Sequence, residues 1–358
     1  MPDPANKKEI DRLIEEVIRR DATDLHIVAN KPAMLRVDGR LVSSENSQVL
    51  DVESAKNLTL SILQPGQEER FRAQKDIDFS FTFKDTARFR VNIYEQMGKV
   101  SSALRFLPSR IRSVEELNLP PILHEFIQVN QGFFLVVGPS GHGKSTALAA
   151  MLDDINRTRQ DHILTIEDPI EYVFAPDKCI IDQREVGIDV SDFHSGLRAM
   201  FREDVDVCMI GEMRDTETMS TAITAAETGH LIFSTLHTNT AAQTIDRIID
   251  TFPPHQQAQI RSQLSATLLG VLSRRLIPAI GGGLINAVEL LIASSAVRNL
   301  IREGKIHQID MIIETSSEEG MISLNRSLAD LVERKLITRE NAEIYTSNSA
   351  ELNMLIGK

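Results

Sequence analysis

Residues 132–146 read Gly-Phe-Phe-Leu-Val-Val-Gly-Pro-Ser-Gly-His-Gly-Lys-Ser-Thr. An apolar, β-forming run meets Gly138, four residues pass, and Gly143-Lys144-Ser145 follows. That is the strand, glycine-rich loop and helix start of a phosphate-binding P-loop. No other stretch constrains the chain as strongly, because the motif works only with those three elements in that order. Glycines let backbone N–H groups converge on an anion, and the following helix adds its positive end. Gly138, Pro139, Ser140, Gly141, His142, Gly143, Lys144, Ser145 and Thr146 are therefore the candidate nucleotide-binding residues. Lys144 is expected to reach the β- and γ-phosphates, and the Ser145 hydroxyl to hold Mg²⁺. ATP and Mg²⁺ are the expected cofactors.

At 358 residues the chain has room for two domains. A net charge of −12 opposes non-specific binding to nucleic acid or an anionic membrane, so neither is an expected partner. The two cysteines, Cys179 and Cys208, form no C-x-x-C pair, which argues against a disulfide framework or a cysteine zinc site and fits a reducing cytosol. The N-terminus is polar and charged, unlike a signal peptide. No apolar run approaches the ~20 residues of a membrane-spanning helix. Membrane association is expected only through a protein partner.

The first third predicts a small α+β domain over residues 1–107. Ile10, Leu13, Ile14, Val17 and Ile18 mark one face of a helix over 5–20. Leu25–Val28 reads as a strand, and Met34–Val42 as a hairpin around Asp38-Gly39. A helix is expected over Val52–Leu63, ended by Gln64-Pro65-Gly66. Strands follow at Phe79–Phe83, Arg88–Tyr94 and Val100–Leu107. Arg88 and Arg90 alternate with apolar residues on one strand face, and Arg105 comes later. They form either a solvated face or a set that reaches a nucleotide held elsewhere. Residues 108–121, with Pro108, Ser109 and Leu119-Pro120-Pro121, read as a linker.

Residues 122–358 read as a mainly parallel α/β domain. Ile163–Ile166 is a buried strand that delivers Glu167 and Asp168 at its C-terminal end, where open α/β sheets place their chemistry. Val207–Ile210 ends in Gly211-Glu212, an apolar strand with a terminal carboxylate suited to hold Mg²⁺, directly or through water, or to polarise the attacking water. Leu231–Leu236 lies between His230 and His237. Either histidine is a candidate for sensing the γ-phosphate or orienting water, the alternative being a structural role. Helices are expected at Ser191–Arg202, Thr216–Thr228 and Ala241–Asp250. From about Pro254 the pattern turns mainly helical, with Gln257–Arg275, Ser295–Arg302, Leu324–Glu333 and Arg339–Thr346. A glycine turn at 281–283 precedes a strand-like Ala287–Leu291.

Several motifs now agree in order: Thr165-Ile166-Glu167-Asp168-Pro169-Ile170-Glu171-Tyr172, Gln183–Gly187, Arg202-Glu203-Asp204, Gly211-Glu212-Met213-Arg214-Asp215, and Glu227-Thr228-Gly229-His230 through Ser234–Asn239. The chain resembles the secretion-type hexameric ATPases of the GspE/PilT family. Ala296-Val297-Arg298-Asn299-Leu300-Ile301-Arg302-Glu303 is similar to the AIRNLIRE motif of the pilus retraction branch. The resemblance runs from Asp24 to about Asn341.

It implies a PAS-like N-terminal domain joined to a RecA-like domain, assembled as a cytoplasmic homohexamer at the inner-membrane base of a type IV pilus machine. Hydrolysis of ATP would drive pilus retraction and twitching motility against a platform protein. Glu167 matches the Asp-box acid, Glu212 the Walker B acid, His230 and His237 the His box, and Arg90 and Arg105 arginines that reach the nucleotide. Either Glu167 or Glu212 would activate water. Packing accounts for Val297, Leu300 and Ile301, which leaves Arg298 and Arg302 for a partner.

Three positions depart from the family pattern. His142 stands where Ser or Thr is usual. Either the backbone alone binds phosphate and the side chain points away, or a protonated imidazole gives phosphate one more cationic donor, and the ring would then lose that charge as pH rises through about 6.5. Gly98-Lys99 stands where a further arginine is usual, and Arg274 in place of a usual glutamine. The alternatives are an assembly or secretion ATPase, an accessory retraction ATPase, and a nucleotide-dependent scaffold ring with little turnover. Assembly relatives usually carry an extra N-terminal domain and a four-cysteine zinc module, neither evident here. Intact Lys144, Ser145, Glu167 and Glu212 speak against the scaffold.

Overall fold

In the computed structural model, residues 4–37, 39–84, 87–107, 110–346 and 348–357 are described. Asp38 of the expected hairpin turn, and Pro108 and Ser109 of the expected linker, lie outside them. The chain divides into two compact units: Met1–Arg110 with Pro169–Val173, and Ile111–Asp168 with Phe174–Lys358.

In the first unit, α1 (Pro4–Arg19), β1 (Asp24–Ile27), β2 (Met34–Val37), β3 (Arg40–Ser43), α2 (Val52–Leu60), α3 (Gln67–Gln74), β4 (Asp76–Phe83), β5 (Ala87–Gln96) and β6 (Lys99–Leu107) follow in order. The six strands form one antiparallel sheet, β3-β2-β1-β6-β5-β4. Period-two alternation in β5 buries Phe89, Val91 and Ile93 together with Leu13, Ile14 and Val17 of α1 and Leu58 of α2. Each such residue contributes about 1.5–3 kcal/mol by leaving water. Ile18, expected on the buried face of α1, is 40% exposed, because it lies a further 100° round from Val17. Helix α2 stops at Leu60 rather than Leu63, and the short α3 had no apolar period to announce it.

The second unit contains α4 (Leu123–Phe126), β7 (Gly132–Val137), α5 (Lys144–Thr158), β8 (His162–Glu167), β9 (Ile180–Glu185), α6 (Phe193–Met200), β10 (Val207–Ile210), α7 (Thr216–Glu227), β11 (Leu231–Leu236), α8 (Ala241–Thr251), α9 (Pro254–Thr267), β12 (Leu268–Pro278), β13 (Leu284–Ile292), α10 (Ser295–Glu303), α11 (Ile309–Thr315), α12 (Leu324–Glu333), α13 (Arg339–Tyr345) and α14 (Ser349–Ile356). Its seven-stranded sheet runs β13-β12-β7-β11-β10-β8-β9, parallel except for β13. Strands β7, β10 and β11 are buried throughout, as strands covered on both faces must be.

A longer stretch also departs from expectation. Residues 257–275 are not a single helix: α9 ends at Thr267, and 268–278 form β12, beside the P-loop strand. The strand is buried on both sides, so its apolar run has no period that separates strand from helix. A helical part from about 254 therefore describes the tail but not the hairpin β12–β13. No helix among the described residues is long and apolar enough to cross a membrane.

Candidate functional site

The site forms where the parallel strands end. After β7 the chain turns through Gly138, at φ 144°, where any Cβ would meet the Arg274 carbonyl oxygen at 2.5 Å. Gly141 and Gly143 are also left-handed, at φ 78° and 75°. Only glycine adopts this succession without strain, and it turns the loop back so that Lys144 opens α5. Lys144 is buried, and its Nζ donates to the carbonyls of Gly138 (2.9 Å) and Pro139 (3.1 Å). The ammonium is thus held at the loop before any phosphate arrives.

A further partner of Lys144 is His237, whose Nδ1 lies 3.3 Å from Nζ. An ammonium has no lone pair, so Nδ1 accepts and Nε2 carries the imidazole proton. That Nε2 faces Glu212 Oε2 at 3.4 Å. Glu212 also pairs with Arg214. Thr235 at the end of β11 donates to the Gly211 carbonyl at 2.6 Å and fixes the turn that presents Glu212. A line of groups, ammonium, imidazole, carboxylate, therefore joins the ends of three elements.

Glu167, the last residue of β8, neighbours this line: the Gly211 N–H donates to the Ile166 carbonyl at 2.8 Å, and a Cβ on Gly211 would stand 3.5 Å from Glu167 Cα. Its buried carboxylate accepts from Thr165 Oγ1 (2.7 Å) and Gln183 Nε2 (3.4 Å). Thr165 supports the acid from two residues earlier on the same strand, a period-two signal present in the sequence, whereas Gln183 depends on the register between β8 and β9, which spacing does not reveal.

His230 is not brought to the site. It precedes β11, its carbonyl accepts the Gly132 N–H at the start of β7, and its Nδ1 is 3.0 Å from the Ala225 carbonyl. A six-residue strand separates it from His237, about 20 Å at 3.3 Å per residue. A parallel strand presents its two ends to opposite edges of the sheet, which a bracketing pair of histidines in sequence conceals. Arg90 and Arg105 belong to the first unit, where they pair with Asp78 (Nε–Oδ2 3.0 Å) and Asp24 (3.0 Å).

His142 does not behave as a phosphate cation. Its Nδ1 accepts the Leu276 N–H at 3.0 Å, which a protonated ring could not do. Burial, with Arg275, Lys144 and Arg274 nearby, pushes its pKa below the ordinary histidine value. Arg274 now has a physical account. Fully buried on β12, it donates to the Gly143 carbonyl and to Asn286 Oδ1, and Asn286 passes the link to the Leu117 carbonyl at 2.6 Å. It props the P-loop from below. Nothing in the sequence could place it there while 257–275 read as helix.

Cavities of about 430 Å³, beside Glu212, His237 and Gln243, and about 230 Å³, beside Gly143, Thr146, Arg274 and Leu276, adjoin the P-loop and its partners. A larger one of about 600 Å³ lies against Pro120, Gly320 and Arg326 and includes no P-loop residue.

Arg298, expected to be available to a partner, is occupied. It donates to the carbonyls of Ala293 (2.9 Å), Ser265 (2.8 Å) and Ala266 (2.7 Å), and burial lowers its pKa. Arg302 is exposed, whereas Val297 and Ile301 are buried with Leu300 packed beside them.

Residues 3–355 match the family described as Type II/IV secretion system protein. The chain is 45% identical over 334 residues to the type IV pilus retractation ATPase PilT of Pseudomonas aeruginosa, covering 93% of this chain and 97% of that protein. It is 43% identical to a twitching motility protein of Neisseria gonorrhoeae, over 89% of this chain and 86% of that one. Its fold matches a crystal structure of the pilus retraction motor PilT with bound ADP at a TM-score of 0.90 and 44% identity, covering 96% of this chain and 99% of the other.

Proposed function

This chain belongs to the Type II/IV secretion system protein family, and we propose that its P-loop, Glu212 and His237 hydrolyse ATP to power type IV pilus retraction. The protein is an ATPase of pilus retraction, the activity carried by relatives that align with it nearly end to end. The structural observation that carries the chemistry is the line Lys144–His237–Glu212.

On this reading the γ-phosphate meets Lys144 at the mouth of the loop, and the ammonium exchanges its carbonyl partners for phosphate oxygens. Glu212 accepts the proton of the attacking water, and His237 holds that carboxylate in register with the ammonium. Glu167 lies one strand away as a second acid. The cavity of about 230 Å³ beside Gly143 and Thr146 is the place this reading gives to the nucleoside. Among the described residues no three His, Cys, Asp or Glu side chains gather as a metal cage. Mg²⁺, if bound, would be held by the Ser145 hydroxyl and by Glu212, directly or through water. When bound, it neutralises charge that develops on the phosphates.

The protein is read as a homohexamer with a PAS-like first unit, working at the cytoplasmic base of the pilus machine. Arg90 and Arg105 would complete the site of a neighbouring protomer by exchanging Asp78 and Asp24 for phosphate. Arg302 is the remaining candidate on α10 for contact with a platform protein.

Phosphate release by the wild type, Lys144→Ala and Glu212→Ala tests the chemistry. Turnover in the wild type and its absence in both variants are expected, and an inactive wild type would favour a scaffold. Deleting the gene should leave excess, immobile pili. Loss of pili would mean assembly instead.

A further inference from the structure

Four residues share one line across the second sheet: Leu236 of β11 pairs with Val137 of β7, Val137 with Ser273 of β12, and Ser273 with Glu289 of β13. The line sits one residue before the P-loop begins. Directly opposed residues on neighbouring strands point to the same face, so the side chains of Ser273 and Glu289 project together. Ser273 Oγ donates to the Asn239 carbonyl at 2.8 Å, and Glu289 Oε1 accepts the Ala241 N–H at 2.7 Å. Asn239 and Ala241 bound the turn that leaves His237 and starts α8. The Glu289 side chain is buried and faces a first-turn amide of that helix, where negative charge is favoured.

We infer that Glu289 is a positioning residue for His237: its carboxylate anchors the turn between His237 and α8 and so keeps the imidazole between Lys144 and Glu212. The inference rests on the reading of His237 as part of the hydrolytic site. The charged groups that face Glu289 are Arg275, two residues beyond Ser273 on the same face of β12, and Asp310 of α11. Helix α8 presents the Ala241 amide, and α12 presents Ser327, which accepts the Val288 N–H at 3.0 Å. Burial raises the Glu289 carboxyl to about 7. The Ala241 bond and Arg275 oppose that rise, and Asp310 adds to it. The group therefore changes charge in the neutral range, and its ionised form is the stronger acceptor for Ala241.

Glu289→Gln keeps the shape and a neutral acceptor but cannot titrate. The full-length assembly would be assayed for kcat and KM from pH 5.5 to 8.5. Hydrogen exchange of the 238–242 amides, corrected for intrinsic rates, would be followed over the same range. In the wild type, kcat should fall several-fold as pH drops through about 7 while KM stays within about twofold, and protection of 238–242 should fall with it. In Glu289→Gln both should stay at the low-pH wild-type level at every pH. A variant with the wild-type kcat and pH limb, or equal protection of 238–242 at pH 8 in the two proteins, overturns the inference. A wild type without turnover would overturn the ATPase reading, and the exchange comparison would still decide the role of Glu289.

Discussion

The Nε2 of His237 lies 3.4 Å from Oε2 of Glu212, with the other ring nitrogen turned to the ammonium of Lys144. A neutral ring that accepts from the lysine at Nδ1 carries its proton on Nε2, the nitrogen turned to the carboxylate, so its tautomer is set by its neighbours. Removing the ring separates the base from the phosphate-binding loop without touching the loop itself. His237→Ala should lower kcat about 100-fold, as loss of a positioned acid–base partner does. Binding of a fluorescent ADP analogue should change little. A kcat close to wild type would exclude His237 from the hydrolytic step.

Arg274 fills a buried site under the P-loop and donates to Gly143 and Asn286. Arg274→Ala takes the donor from the Asn286 amide oxygen, at about 1–3 kcal/mol for a buried group left without it, and one of two donors from the Gly143 carbonyl, which keeps the Ala147 N–H. Denaturant unfolding should show a loss of about 2–4 kcal/mol, together with weaker nucleotide binding. Arg274→Gln should lose less because it keeps part of the side-chain volume and a polar donor in the site.

His142 is held neutral by burial, by the cations around it and by the Leu276 N–H that its ring accepts. Its folded pKa lies below the unfolded value, so the unfolded chain takes up the proton first. Its contribution to stability is present above about pH 6.5 and is lost as pH falls below it. Thermal melts from pH 8 to 5 should show the wild type losing its advantage over His142→Ser toward the acid end. Nucleotide affinity of the two proteins should follow the same pH profile. An affinity that weakens with rising pH in the wild type alone would restore the phosphate-binding role.

Arg298 and Arg302 lie on one helix, but their roles separate. Arg298 closes three carbonyls at the end of α9 and of β13. Arg298→Ala should cost about 2–3 kcal/mol in a denaturant melt. Arg302→Ala, at an exposed position, should stay within about 0.5 kcal/mol. If Arg302 meets a partner, its variant keeps ATPase activity and loses pilus retraction in cells.

The P-loop, the strands at 163–166, 207–210 and 231–236, and the alternating β-strands of the first third could all be read from local pattern. Each shows a period, a short apolar run bounded by glycine or polar residues, or glycines whose backbone angles no other residue tolerates. Strand β12 could not, because it follows α9 directly with no turn residue between them, and Arg274 and Arg275 interrupt its apolar run. With β12 hidden, Arg274 had no address, nor had the line Val137–Ser273–Glu289.

Residue order alone carried the chemistry of the loop and the identity of the acids, because phosphate binding needs a contiguous run of backbone and one lysine. It also brought His230 and His237 forward as equals. Folding parted them by placing one at each end of a parallel strand, and joined His237 to Lys144 and Glu212, residues far away along the chain. Such pairings depend on which strands lie side by side and in what register. Those are decided by burial and hydrogen bonding across the whole sheet, not by any segment read by itself.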